Sequence, residues 1–166
     1  MLFLFSAKNA DCQRFNTVNF TTQEGLPGNH LNSIIQDKIG RLWIGTMSGA
    51  CRFDGKTFVR FDQGNVLFNN PVKSIMEDQS GNIWLGTIRK GLVKYSGTTF
   101  SNFSTNDGLL SDNINALCQD EKGNIWVGTS EGISRFDGKS FYNITQVKGL
   151  VNNNVFDLLS DSKGRV

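Results

Sequence analysis

The string DKIGRLWIGTMSG, from Asp37 to Gly49, returns as DQSGNIWLGTIRKG and again as DEKGNIWVGTSEG, and nothing else in this chain restricts its fold so strongly. A chain that repeats itself must be built from small like units, each burying its apolar face against the next copy. Aligned on their aspartates, the copies begin at Asp37, Asp78, Asp120 and Asp161, at separations of 41, 42 and 41 residues. The extra residue of the second copy falls in the turn TIRKG, because Gly91 follows Trp84 by seven positions where Gly49 and Gly132 follow their tryptophans by six.

Each copy holds four short strand candidates. The inner ones are LNSIIQD, VKSIMED, INALCQD and VFDLLSD. A second surrounds the tryptophan (RLWIGT, NIWLGT, NIWVGT), a third precedes a turn (CRFDG, VKYSG, SRFDG), and a fourth is rich in phenylalanine (TFVRF, TFSNF, SFYNI). Four strands in about 40 residues is the size of one β-propeller blade. The expected fold is therefore all-β: four-stranded antiparallel meanders forming an incomplete propeller of about three and a half blades. The divisions are a signal-peptide remnant or disordered N-terminus at 1–13, an outer strand at 14–22, blades at 23–62, 63–104 and 105–146, and the start of a fourth blade at 147–166. Composition agrees: 13 Phe, 3 Trp and 18 Gly against only 2 Pro describe short strands and tight turns.

The turns carry local chemistry. Asp37-x-x-Gly40 and its three equivalents place Asp first and Gly fourth, the preference of a type I turn. Asp54-Gly55, Ser96-Gly97 and Asp137-Gly138 suggest two-residue hairpins with positive φ at both positions. Gly45, Gly86 and Gly128, two residues after each Trp, are expected where a neighbouring element approaches closely.

Several chemistries are excluded or disfavoured. The net charge is +2, from 17 basic and 15 acidic residues without a like-charge run, so the electrostatic footprint of a nucleic-acid partner is missing. Each copy offers one turn aspartate and lacks the second carboxylate that Ca²⁺ binding or acid/base catalysis requires. Trp43, Trp84 and Trp126 are expected to fill the space between blades rather than form a sugar platform. Cys12, Cys51 and Cys118 have neither metal-ligand spacing nor repeat positions, and Asn9-Ala10-Asp11 before Cys12 is no lipoprotein box. His30 is a loop residue with no nucleophile motif near it. No catalytic residue, metal site or cofactor site is expected. At the N-terminus, Leu2 to Phe5 is too short for a membrane span and lacks a basic leader; it reads as the tail of an export signal or as an ordinary disordered end.

The pattern D-x-x-G-[NR]-[IL]-W-[ILV]-G-T-x-x-G followed by R-F-D-G-K, preceded by GLPGNHL, GLLSDNI and GLVNNNV, resembles the two-component regulator propeller repeat from about Phe15 to Val166. Such repeats build the periplasmic sensor region of bacterial hybrid histidine kinases and related receptors. The resemblance implies an exported ligand-sensing module without catalysis of its own, in a parent that is anchored in the inner membrane, open to dimerisation, and possessed of a kinase or other output module. It also implies neighbouring blades of the parent chain as partners and an unknown small molecule or glycan as ligand. Copy two departs most, with QGNVLFNNPV in place of the Gly-Leu loop and KYSG for RFDG. A freestanding secreted propeller that binds carbohydrate or protein is the alternative. Streptogramin-lyase and sialidase propellers share fragments of the pattern, but lyase chemistry uses histidines and this chain has only His30.

Strand alternation puts the Asp-x-x-Gly and Asp-Gly turns on one rim and the loops that differ between copies on the other. Variable loops on a rigid scaffold are the usual place for binding residues. The expected ligand surface is thus Asn29, His30, Asn70, Arg89, Lys90, Asn113, Glu131 and Asn153, with Arg89 and Lys90 suited to an anionic ligand such as an acidic sugar. Finally, Asp161 plus the constant spacing of six falls one residue beyond Val166, so the parent is expected to continue with Trp, an aliphatic residue, Gly and Thr.

Overall fold

A computed structural model describes residues 18–61 and 66–166. The export-signal reading of residues 1–13 and the lipidation question at Cys12 lie outside them. Three separate four-stranded antiparallel sheets follow one another along the chain. The first comprises β1 (Leu31–Gln36), β2 (Leu42–Thr46), β3 (Gly49–Phe53) and β4 (Phe58–Arg60). The second comprises β5 (Val72–Glu77), β6 (Ile83–Thr87), β7 (Leu92–Tyr95) and β8 (Phe100–Phe103). The third comprises β9 (Ile114–Gln119), β10 (Ile125–Thr129), β11 (Gly132–Phe136) and β12 (Phe141–Ile144). Each is a meander in sequence order, as a propeller blade is, and the inner strands β1, β5 and β9 lie beside one another.

Register explains how the blades stack. Trp43 lies opposite Ile35 and Arg52, and Arg52 opposite Val59, so these four share one face of the first blade. Leu42, Ile44, Cys51, Phe53 and Phe58 point the other way, because neighbours along a strand alternate. The Trp face of one blade packs on the aliphatic face of the next. Between blades one and two, Trp43 is fully buried with Ile75, Ile83, Leu85, Val93 and Tyr95. Between blades two and three, Trp84 meets Leu109, Ile114, Ile125, Val127 and Phe136. Each fully buried Leu or Ile there contributes roughly 1.5–3 kcal/mol, and the aromatic pairs add to it. The most nearly parallel of them stacks Trp43 on Phe61 at 5.4 Å and 9°.

Stacking this tight leaves no room for a side chain where the next inner strand crosses the Trp strand. A Cβ on Gly45 would lie 2.9 Å from Val72 Cγ1, on Gly86 2.5 Å from Ile114 Cγ2, and on Gly128 2.9 Å from Val155 Cγ1. The three glycines mark the close approach that their position after each Trp suggests.

Two local expectations need correction. The Asp-Gly turns are not two-residue hairpins: Phe53 pairs with Phe58 across a four-residue loop, and only Gly55, not Asp54, has positive φ. The reason is the carboxylate. Asp54 Oδ1 accepts the N–H groups of Lys56 and Thr57 (2.9 and 2.8 Å), so a side chain takes the acceptor role that a backbone carbonyl has in the tighter turn. The fourth copy's VFDLLSD also forms no ladder, since no described strand lies on its far side. It docks through Val155, whose N–H donates to Thr129 O (3.0 Å), and through Leu158 against Gly128. Residues 18–22, the described part of the expected outer strand, pair with no strand among the described residues and run into the turn at Thr21.

Candidate functional site

The loops between β2 and β3, β6 and β7, and β10 and β11 meet the blade-to-blade connections on one rim, and backbone hydrogen bonds join them in pairs. Met47 N–H donates to His30 O (3.1 Å), Ile88 N–H to Pro71 O (3.0 Å) and Ser130 N–H to Asn113 O (3.2 Å). Three equivalent bonds fix three equivalent loop pairs, so the side chains on them are presented from a rigid frame. Below the tips, Thr46, Thr87 and Thr129 are fully buried, and each hydroxyl donates across the loop to the carbonyl of Gly49, Gly91 or Gly132 (3.0, 2.8 and 2.8 Å).

The eight rim residues divide by what their polar atoms already do. Asn29 Oδ1 accepts the N–H of Thr22 (3.1 Å), and Asn153 Oδ1 that of Gln146 (2.7 Å). Asp112, at the same repeat position, accepts from Thr105 (2.9 Å). These side chains fold the Gly-Leu loops back on themselves and leave only their remaining atoms for a ligand. Asn70, their counterpart in copy two, is 3% exposed. Asn113 is half-buried, with its N–H directed to Ser111 Oγ (3.4 Å). Glu131 Oε1 accepts from Ser111 Oγ (3.4 Å), beside the Ser111–Ser130 hydroxyl pair (3.2 Å). His30, Arg89 and Lys90 are exposed, and the Lys90 N–H donates to Thr87 Oγ1 (2.9 Å), which holds the base of the inserted turn. The one-residue insertion of copy two therefore lifts two cations off an anchored loop.

Toward the inner strands, Asn32 Nδ2 donates to Val72 O (3.0 Å) and Asn115 Nδ2 to Val155 O (2.7 Å), bridging each blade to the next. Copy two has Lys73 at this position, and its ammonium reaches Asn115 Oδ1 (2.7 Å). No group of three or more His, Cys, Asp or Glu among the described residues could hold a metal ion. Burial pushes the Cys51 thiol up to about 12 and the Cys118 thiol to about 11, so neither is poised as a nucleophile.

The opposite rim holds the repeat's most regular polar feature, and the sequence reading missed it. Asp37 Oδ2 accepts the indole N–H of Trp43 (2.9 Å), Asp78 Oδ2 that of Trp84 (2.8 Å), and Asp120 Oδ2 that of Trp126 (2.9 Å). The constant spacing of six residues between Asp and Trp was its visible signal. Burial works to raise the Asp78 carboxyl, but hydrogen bonds from Trp84, Asn82 and the turn backbone outweigh it and hold the group below the usual carboxylate range. Asp37 and Asp120 are held low in the same way.

Comparison with known proteins agrees with this geometry. Residues 25–48, 66–89 and 108–131 match the family described as two component regulator propeller, each match running from a Gly-Leu loop or its counterpart through the Trp strand. A 60-residue stretch, 35% of the chain, is 45% identical to the histidine kinase P4 of Formosa agariphila and spans only 4% of that protein. The extracellular domain of the putative hybrid two component system BT4673 from B. thetaiotaomicron superposes with a TM-score of 0.73 at 25% identity, over 87% of this chain and 21% of that one. The corresponding domain of BT3049 from the same organism superposes at 0.74 and 22% identity, over 84% of this chain and 20% of that one. The chain thus spans about a fifth of each of these structures. No helix among the described residues is long and apolar enough to cross a membrane. Each of the three stacked meanders thus contains one match to the two component regulator propeller repeat.

Proposed function

We propose that these blades are part of the extracytoplasmic ligand-sensing region of a two-component sensor, and that the sensing surface is the rim of variable loops. The chain itself performs no catalysis in this reading; the output belongs to the parent. The observation that carries it is the contrast between the two rims. One is spent on turn aspartates and indole clamps repeated in every blade, while the other presents different side chains from loops tied by equivalent backbone hydrogen bonds. Relatives described as a histidine kinase and as extracellular domains of hybrid two component systems support the cellular setting. The ligand class is a small molecule or glycan bearing negative charge, because Arg89 and Lys90 stand exposed on that rim.

The experiment replaces Arg89 and Lys90 with Ala in the full-length protein. The expected result is loss of ligand-dependent output, with ligand affinity down about tenfold or more, as removal of a charge-assisted hydrogen bond worth roughly 1.5–3 kcal/mol implies. Unchanged affinity and output would overturn the assignment of the rim. In parallel, protease added to spheroplasts should cleave the blades while a cytoplasmic marker stays intact. Recovery of the protein from the culture medium without a membrane anchor would favour the freestanding secreted propeller instead.

A further inference from the structure

A cleft of about 410 Å³ opens on the turn-bearing rim, between the second and third blades. One wall is the rung Trp84, Lys94 and Ser101 of blade two, and the other is formed by Phe136 and the turn carrying Lys139; Phe103 lies between them and Gln79 at the edge. The stacking that produces this interface is repeated between blades one and two, so the two interfaces compare position by position. Where blade one has Lys38, Arg52 and Val59, blade two has Gln79, Lys94 and Ser101, and where blade two turns Tyr95 toward blade one, blade three turns Phe136. All four exchanges make the side chain smaller at the 2–3 interface. In the 1–2 interface Lys38 also crosses the gap, its ammonium donating to Asp78 O and Gln79 O (2.7 and 3.0 Å), and the Tyr95 hydroxyl closes onto Gly97 O. Gln79 makes no such crossing with its side chain.

The polar groups of the cleft are not equally free. Asp78 accepts three hydrogen bonds, two from Asn82 and one from Trp84, and Asp137 accepts three from Lys139 N–H, Ser140 N–H and Ser140 Oγ. Both carboxylates are engaged. The Lys94 ammonium lies over the Trp84 ring, 5.3 Å from its centroid, and neither it nor the Lys139 ammonium has an ion-pair partner among the described residues. The charged donors on offer are thus Lys94 and Lys139, both carboxylates are occupied, Gln79 and Ser101 add uncharged polar groups, and between them lies the aromatic surface of Phe103 and Phe136.

The geometry points to a binding site in this cleft for a small organic anion: one carboxylate or sulfate held by Lys94 and Lys139, with a ring-sized body lying on the phenylalanines. The volume is at the lower end of small-molecule sites, enough for one or two rings. The site is independent of the variable rim. Two sources share the chemistry, a sugar acid and an aromatic acid.

The test titrates the chain with sodium glucuronate, with 4-methylbenzoate and with glucose at constant ionic strength, reading saturation-transfer NMR and calorimetry. At least one anion should bind saturably and weaken as salt is raised, while glucose does not bind. Binding of one anion and not the other identifies the source. Lys94→Gln should weaken binding at least tenfold. The pair Gln79→Lys with Ser101→Val, which installs the side chains that already fit the first interface, should abolish it with an unchanged melting curve. Arg89→Ala with Lys90→Ala should leave it intact, so failure of the rim assignment and failure of this site are separable. Absence of saturable binding for both anions, equal binding of glucose, or anion affinity unchanged in the filled variant overturns the proposal.

Discussion

At the scale of single residues, the repeat is organised by a pair six positions apart. Asp78 turns the chain with its backbone and with Oδ1, and with Oδ2 it fixes the indole that seals the blade interface. Trp84 is 3% exposed, so its N–H would otherwise be buried without a partner. Asp78→Asn and Trp84→Phe are each expected to cost about 1–3 kcal/mol, and the double variant less than the sum, with a coupling of about 1–2 kcal/mol in a denaturation cycle. The acid dependence follows from the sign of the shift. A carboxyl whose folded pKa is depressed contributes stability that is present above its unfolded pKa and lost as pH falls through the folded one. Asp37, Asp78 and Asp120 are all depressed below 3.8, so the chain should lose stability as pH drops below about 4, and Asp78→Asn should flatten that slope. Urea midpoints measured between pH 3 and 7 check both. The aspartate as a turn residue was legible in the sequence. Its bond to the indole was not, because a turn preference accounts for Asp completely and leaves nothing unexplained to prompt a search.

Among elements, the legible features were those with a period. The meander of four strands, the Trp strand and the glycine that admits the next blade all recur in register, and a recurring spacing encodes a recurring contact. What failed was local. The Asp-Gly pair reads equally well as a two-residue turn or as a four-residue loop closed by the Asp carboxylate, and the sequence does not say which acceptor wins. Nor could strand propensity give VFDLLSD a ladder, since pairing belongs to two strands and only one is described. The rim was legible from alternation, whereas the loop-stapling by Asn29 and Asn153 and the burial of Asn70 required coordinates. The element-level prediction concerns Gly86, where an added Cβ would meet Ile114 Cγ2 at 2.5 Å and Ser74 Oγ at 2.3 Å. Gly86→Ala should destabilise by about 1–3 kcal/mol through overpacking. Gly55→Ala should act differently, because nothing stands within 4 Å of a Cβ there and only its φ of +97° is strained. Thermal melts of the two variants separate these causes: blade packing should loosen in the first, seen as faster amide exchange on β9, and not in the second.

For the whole molecule, the consequence of stacking is that each blade has a donor face with a Trp and an acceptor face of aliphatic and aromatic side chains. Blade one's acceptor face carries no Trp from another described blade. Its positions Ile34, Leu42, Ile44, Phe53 and Phe58 line an apolar hollow of about 230 Å³, capped in part by Phe20. Ile34 is 56% exposed there, while its counterpart Ile75 in blade two is 7% exposed. The isolated chain is therefore expected to self-associate through this face. Ile34→Lys should shift light scattering toward monomer without lowering the melting temperature, and a wild-type chain that is already monomeric at high concentration would contradict it.

The central claim is that the variable rim is the sensing surface. Hydrogen exchange on the full-length protein, with and without a glycan or small-molecule fraction that switches on its output, decides it. Slower exchange is expected at 29–32, 47–49, 87–91, 112–113 and 129–131, and no change at the turns 54–57 and 96–99, which lie outside the cleft that Lys139 lines. Protection confined to those turns, or none on the blades while the output responds, would contradict it.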